Sequence, residues 1–87
     1  ERTDQLREQI AQLARELDSQ LTIHDFRITA GPIHTNLIFD VVVPYGFHLT
    51  DEQVRAELGQ RIKALSPRYF AVIQVDHSYI DQRSVQN

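Results

Sequence analysis

The sequence predicts one α+β domain in which two helices cover a single face of a three-stranded sheet. Two segments carry apolar residues at helical spacing, and three shorter segments alternate apolar and polar residues as half-buried strands do. Their order along the chain is helix, strand, strand, helix, strand. A length of 87 residues fits one domain, and a hydrophobic fraction of 41% is ordinary for a globular chain.

An apolar stripe predicts the first helix. The stripe consists of Leu6, Ile10, Leu13 and Leu17. Thr3 or Asp4 is suited to cap the start of this helix, and the pattern fades near Asp18. Because the stripe is narrow, we expect the helix to cover a sheet.

The next two segments predict an antiparallel hairpin over about residues 23–29 and 35–43. The turn between them contains Gly31 and Pro32, which favour a chain reversal. In the second strand, alternation places four apolar residues on the face toward the helices: Leu37, Phe39, Val41 and Val43. Ile38, Asp40 and Val42 then lie on the opposite face, and Pro44 ends the strand.

The second helix has a clear start at Thr50, because Gln53 completes a capping box with it. Pro67 stops this helix, and the third strand covers roughly Tyr69–Val75. A right-handed crossover makes the second and third strands parallel. The layout is a trimmed ferredoxin-like, two-layer α-β-β-α-β sandwich over residues 1–80, followed by a loose polar tail at 81–87. The uncovered sheet face favours a homodimer.

Composition excludes several classes of function. The formal net charge is −3 and the cationic residues do not cluster, which argues against a nucleic-acid partner. No apolar run approaches the ~20 residues of a membrane helix, so this chain is not expected to insert into lipid. With no cysteine there is no disulfide or thiolate metal site. Because the sequence begins at Glu1 without an initiator Met, we expect a fragment or a processed product.

Polar residues are predicted to converge at one end of the sheet. The second and third strands end there and the first strand begins there, which gathers Asp40, Asp76 and His24. His48 and His77 follow two of these strands at the same end, whereas His34 lies at the hairpin turn. Imidazole and carboxylate together suit a divalent metal ion. The sequence therefore predicts metal ligation by His24, Asp40 and Asp76, with His48 or His77 completing the set.

The register of the hairpin poses one difficulty. Pairing His24 opposite Asp40 sends Phe26 outward, whereas a shift by one residue brings Phe26 inward and moves His24 off the Asp40 face. A β-bulge near residues 24–25 would reconcile the two arrangements. We expect Asp25 to have a structural role, paired with Arg27 or capping a backbone amide.

The chain resembles the C-terminal cytoplasmic domain of cation diffusion facilitator transporters, which are proton-coupled divalent-cation efflux proteins. The resemblance covers about Thr3 to Ile80 and lies in three segments: Ile23-His24-Asp25-Phe26-Arg27 with Gly31-Pro32 after it, Asn36 to Val43, and Val72 to Asp76. It implies a dimerising, non-enzymatic domain below a covalently linked membrane domain, at the cytoplasmic face of the cell membrane. It also implies regulatory metal binding at the dimer interface, with zinc preferred and manganese, iron, cobalt, nickel or cadmium possible.

Position by position, the resemblance implies ligand roles for His24 and Asp76. It also implies one for Asp40, which stands where many members of the family carry His. This chain has Gln74 and Gln53 where some members carry a further His. Those departures count against a second, binuclear-type metal.

Two other function classes remain open from the sequence. One is a ferredoxin-like small-molecule sensor of the ACT type, or a dimerisation module that binds no ligand. The other is an acylphosphatase-like enzyme using Arg27 and Asn36, which is disfavoured because no glycine-rich anion loop accompanies that pair.

Overall fold

The helices and strands follow the predicted order in the computed structural model, which describes residues 2–78. They are α1 (Arg2–Leu17), β1 (Thr22–Ala30), β2 (Thr35–Pro44), α2 (Asp51–Leu65) and β3 (Tyr69–Ser78). The predicted tail at 81–87 lies outside the described residues. Neither of the two helices in residues 2–78 combines the length and hydrophobicity needed to cross a membrane.

The sheet has the order β1-β2-β3, with β1 antiparallel and β3 parallel to the central strand. This mixed sheet and the α+β class confirm the predicted fold. The central strand supplies the four residues predicted to face the helices, and all four are buried. They pack with Leu21 and with residues of both helices: Leu6, Ile10, Ala14, Val54, Leu58 and Ile62. Phe39 is completely buried, so its truncation to Ala is expected to cost about 3–5 kcal/mol.

The start of α2 confirms one prediction, and the start of α1 corrects another. Thr50 accepts a hydrogen bond from the Gln53 backbone N–H at 3.1 Å, and the Gln53 side chain accepts one from the Thr50 N–H at 2.9 Å. This is the predicted capping box. In contrast, α1 begins at Arg2, so Thr3 and Asp4 belong to its first turn and do not precede it. There Asp4 pairs with Arg7 at 2.9 Å.

The third strand is longer than predicted. It continues past Val75 to Ser78, because β2 extends through Pro44 and offers a partner at every position. Asp76 and His77 therefore lie within the strand. Alternation along it puts these two side chains on opposite faces of the sheet.

A β-bulge in β1 resolves the register difficulty. His24 is opposite Asp40 and Arg27 is opposite Ile38, so β1 carries one residue more than β2 between the two pairs. Asp25 absorbs the extra residue with a φ of 56°, in the left-handed region. The Phe26 ring consequently lies on the helix side, 6.0 Å from the Phe39 ring centre. The predicted bulge allows Phe26 to face the core while His24 stays beside Asp40.

The opposite face of the sheet, here called the open face, has no helix over it within residues 2–78. Its apolar part is formed by Ile38, Val72 and Phe70, of which Val72 is 46% and Phe70 49% exposed. Its polar part lies toward the C-terminal ends of β2 and β3. The open face therefore joins an apolar surface to the predicted ligands.

The bulge geometry predicts a difference between two variants of Asp25. Asp25→Gly should be more stable than Asp25→Ala by about 1 kcal/mol, because an alanine Cβ is strained in the left-handed region and glycine is not. Both variants remove the carboxylate, so their comparison isolates the backbone term. Urea unfolding followed by circular dichroism measures it. An alanine variant at least as stable as the glycine variant would contradict the assigned backbone conformation.

Candidate functional site

The polar part of the open face is built by strand register. His24, Asp40 and Gln74 occupy one row across β1, β2 and β3. Asp76 lies two residues beyond Gln74 and is opposite Val42, so it occupies the next row on the same face. The structure thus places three of the five predicted ligands on one face: His24, Asp40 and Asp76.

Asp40 is the electrostatic centre of this surface. Partial burial raises the pKa of its carboxyl group above the ordinary value of 3.8, and the negative charges of Asp76 and Asp25 raise it further. A side-chain hydrogen bond with Asp25 acts in the same direction, whereas the Arg27 guanidinium opposes it. A hydrogen bond between two carboxyl groups requires a proton on one of them. Deprotonation of Asp40 is therefore opposed by desolvation and by two acidic neighbours, Asp76 and Asp25.

The other side chains of the face have local partners. The His24 Nε2 atom lies 3.1 Å from the Thr22 hydroxyl oxygen, and the ring is exposed. The Gln74 side-chain amide donates to Asp76 at 3.2 Å. These bonds are exposed and within one strand, so they fix the side chains only weakly.

His77 and His48 occupy a different surface. His77 shares the helix-side parity of Val75, and its Nε2 atom lies 2.8 Å from Oδ1 of Asp51 at the start of α2. The His48 ring packs 4.5 Å from the Phe47 ring in the loop after β2. Both histidines line a shallow pocket that also contains Asp51. The structure therefore does not bring these two predicted ligands onto the open face.

The described residues of one chain do not form a complete metal centre. Among residues 2–78, no group of three or more His, Asp or Glu side chains is arranged to hold a metal ion. The donor types on the open face still suit zinc and similar ions, since they are imidazole nitrogen and carboxylate oxygen. The chemistry of the donors fits a metal, whereas their arrangement within residues 2–78 of one chain does not.

Asp25 is the residue of this surface that sequence reasoning assigned differently. Strict alternation would turn it toward the helices, but the bulge brings its carboxyl group to that of Asp40. The residue type could have indicated that Asp25 is the bulged residue, because Asp tolerates a left-handed φ better than most residues do. The same bulge puts Arg27 on the open face, near enough to oppose the shift at Asp40.

Comparison with known proteins identified no relative. No protein-family model, no curated protein and no solved structure matches this chain.

The crowding of carboxylates predicts a pH-dependent effect of Asp40→Asn. Because the pKa of Asp40 is raised in the folded state, the protonated carboxyl group favours folding. This contribution to the free energy of unfolding is fully present below about pH 3.8, and it is lost as the pH rises through the folded-state pKa. In buffer containing a chelator, Asp40→Asn should therefore melt above the wild type at pH 7. The difference should shrink as the pH approaches 3.8.

Thermal melts over this pH range provide the measurement. Asp4→Asn is the matched control, because it removes an exposed carboxylate on α1 that is paired with Arg7. It should not raise the melting temperature. Equal melting temperatures for Asp40→Asn and the wild type at every pH would contradict the electrostatic account.

Proposed function

We propose that this domain is the cytosolic regulatory and dimerisation domain of a proton-coupled divalent-cation efflux transporter, and that it binds zinc-like ions where two copies meet. The observation that supports metal binding is the placement of His24, Asp40 and Asp76 together on the open face of the sheet. The transporter part rests on the sequence resemblance. In this proposal the domain regulates and does not catalyse a reaction.

The apolar half of the open face supports dimerisation. Phe70 and Val72 are both about half exposed, and Ile38 lies between β1 and β3 in the same row as Val72. A second copy that covered these side chains would bury apolar area at roughly 25 cal/mol per Å². A two-fold arrangement would bring the same surface from each copy together.

The acidic half of the face supports a role for a cation. Bringing two copies together adds the carboxylates of one to those of the other, and unscreened like charges oppose association. A divalent ion would supply the positive charge that offsets this repulsion. His24, Asp40 and Asp76 of each copy would hold the ion, and the two copies together would supply the ligand group that residues 2–78 of one chain do not form.

Coupling follows from this arrangement by linkage. If the cation binds the pair more tightly than the single domain, it favours the pair by the same factor. The residues of the open face would thereby convert the cytosolic cation level into a preferred geometry of the two domains. The attached membrane domains would then be biased toward one of their states.

A dimerisation module without a metal is the second candidate. The observation that favours it is the lack of a three-donor group within residues 2–78 of one chain. In that case the apolar half of the face would drive association alone. The carboxylates would then limit its strength.

The two candidates are separated by measuring association and zinc binding together. In sedimentation velocity, zinc should shift the wild type toward a dimer, and a chelator should reverse the shift. In isothermal titration, His24→Ala should weaken zinc binding at least about tenfold, equivalent to 1.4 kcal/mol. His34→Ala is the matched control, because it removes an exposed imidazole at the hairpin-turn end of the sheet.

Dimers that form without zinc, together with no measurable heat of zinc binding, would support the dimerisation module without a metal and overturn the metal-binding proposal. Equal zinc heats for His24→Ala and the wild type would remove His24 from the site.

A further inference from the structure

The outer edge of β3 carries backbone groups that no strand within residues 2–78 pairs with. β3 pairs with β2 along one side only, and within residues 2–78 no strand lies against its other side. Arg55 donates from Nε to the Ile73 carbonyl oxygen at 3.1 Å, so this carbonyl points outward from the sheet. By alternation, the backbone groups of Ala71 and Val75 point the same way. These are the groups to which a further strand would bond.

A groove runs beside this edge, between β3 and α2. It has a volume of about 530 Å³, and Ala56, Gly59 and Ala71 give it a floor of small residues. Gly59 is not required by packing, because a Cβ built there would meet nothing within 4 Å. Glycine is also a poor residue for the interior of a helix. Its effect at this position is to keep the groove open.

Two cations border the groove without a carboxylate partner in the described part of the chain. Arg55 bonds to a backbone carbonyl, and Lys63 donates to the Pro67 carbonyl oxygen at 3.1 Å. In contrast, Arg61 on the same helix is paired with Glu57 at 2.6 Å. The chain as a whole has a net charge of −3, so this basic border differs in sign from the rest of the molecule.

We propose that the outer edge of β3 and this groove bind an extended acidic peptide segment of another protein as a fourth strand. The peptide backbone would pair with Ala71, Ile73 and Val75, and an alternate side chain would enter the space above Gly59. Acidic side chains of the peptide would meet Arg55 and Lys63, which supply the charge complementarity. Without the peptide, Arg55 occupies the Ile73 carbonyl and protects the edge.

Charge also distinguishes this occupant from a second copy of the chain. Two β3 edges related by a two-fold axis near Ile73 would bring the two Arg55 side chains close together. Such like charges across an interface disfavour pairing. An acidic peptide has the opposite effect at the same position.

The test uses a fluorescein-labelled, end-capped peptide that alternates valine and glutamate. Fluorescence anisotropy at low ionic strength should detect binding to the wild-type chain. Amide shifts in ¹⁵N spectra should centre on Ala71, Ile73 and Val75. The same peptide with lysine in place of glutamate, and one with alternate amides N-methylated, should not bind.

Two variants examine the groove and its border separately. Gly59→Leu should fill the groove, and the double variant Arg55→Glu, Lys63→Glu should reverse the charge. Each should weaken binding roughly tenfold or more, which corresponds to 1.4 kcal/mol.

Gln12→Leu and Arg7→Glu are the matched controls on exposed positions of α1 and should leave binding unchanged. Gly59→Ala, which occupies less of the groove, should give an intermediate loss, and circular dichroism establishes that each variant is folded.

Several outcomes would overturn the proposal. The wild type would fail to bind the glutamate peptide, Gly59→Leu would bind it as tightly as the wild type does, or the amide shifts would centre on the open face around Asp40. Association of two copies through β3 in place of peptide binding would also overturn it.

Discussion

The one-residue bulge in β1 is the constraint on which both faces of the sheet depend. With Asp25 in the left-handed region, Phe26 packs toward Phe39 in the core, and His24 remains opposite Asp40 on the other face. A continuous register would satisfy only one of these requirements, because a shift by one residue exchanges the two faces of a strand. The strained residue at the bulge is also the one whose carboxyl group meets Asp40. Core packing and the electrostatics of the candidate site are therefore set by the same backbone feature.

The two edges of the sheet are both altered in ways that discourage unselective strand pairing. The bulge interrupts β1, and Arg55 occupies an outward carbonyl of β3. In our proposal a second copy therefore packs on the open face, which combines exposed Phe70 and Val72 with the carboxylates. Apolar burial and charge repulsion act against each other there. In our proposal, a divalent ion decides which of them prevails.

Periodicity and capping residues were sufficient to predict the fold. Helical spacing, the Thr50–Gln53 box and the alternation around Phe39 each correspond to a local rule, and each is present in the structure. The need for a bulge could be inferred from the conflict between Phe26 and His24. The site was less predictable, because the orientation of Asp25 depends on where the extra residue is absorbed. The separation of His77 from Asp76 follows from the extension of β3, which local turn signals did not reveal.

The register around the bulge can be measured directly by nuclear Overhauser contacts in the isolated chain. We expect contacts between the Phe26 and Phe39 rings, together with backbone contacts that pair His24 with Asp40 and Arg27 with Ile38. Backbone contacts that pair Phe26 with Ile38, with the Phe26 ring among the residues of the open face, would contradict it.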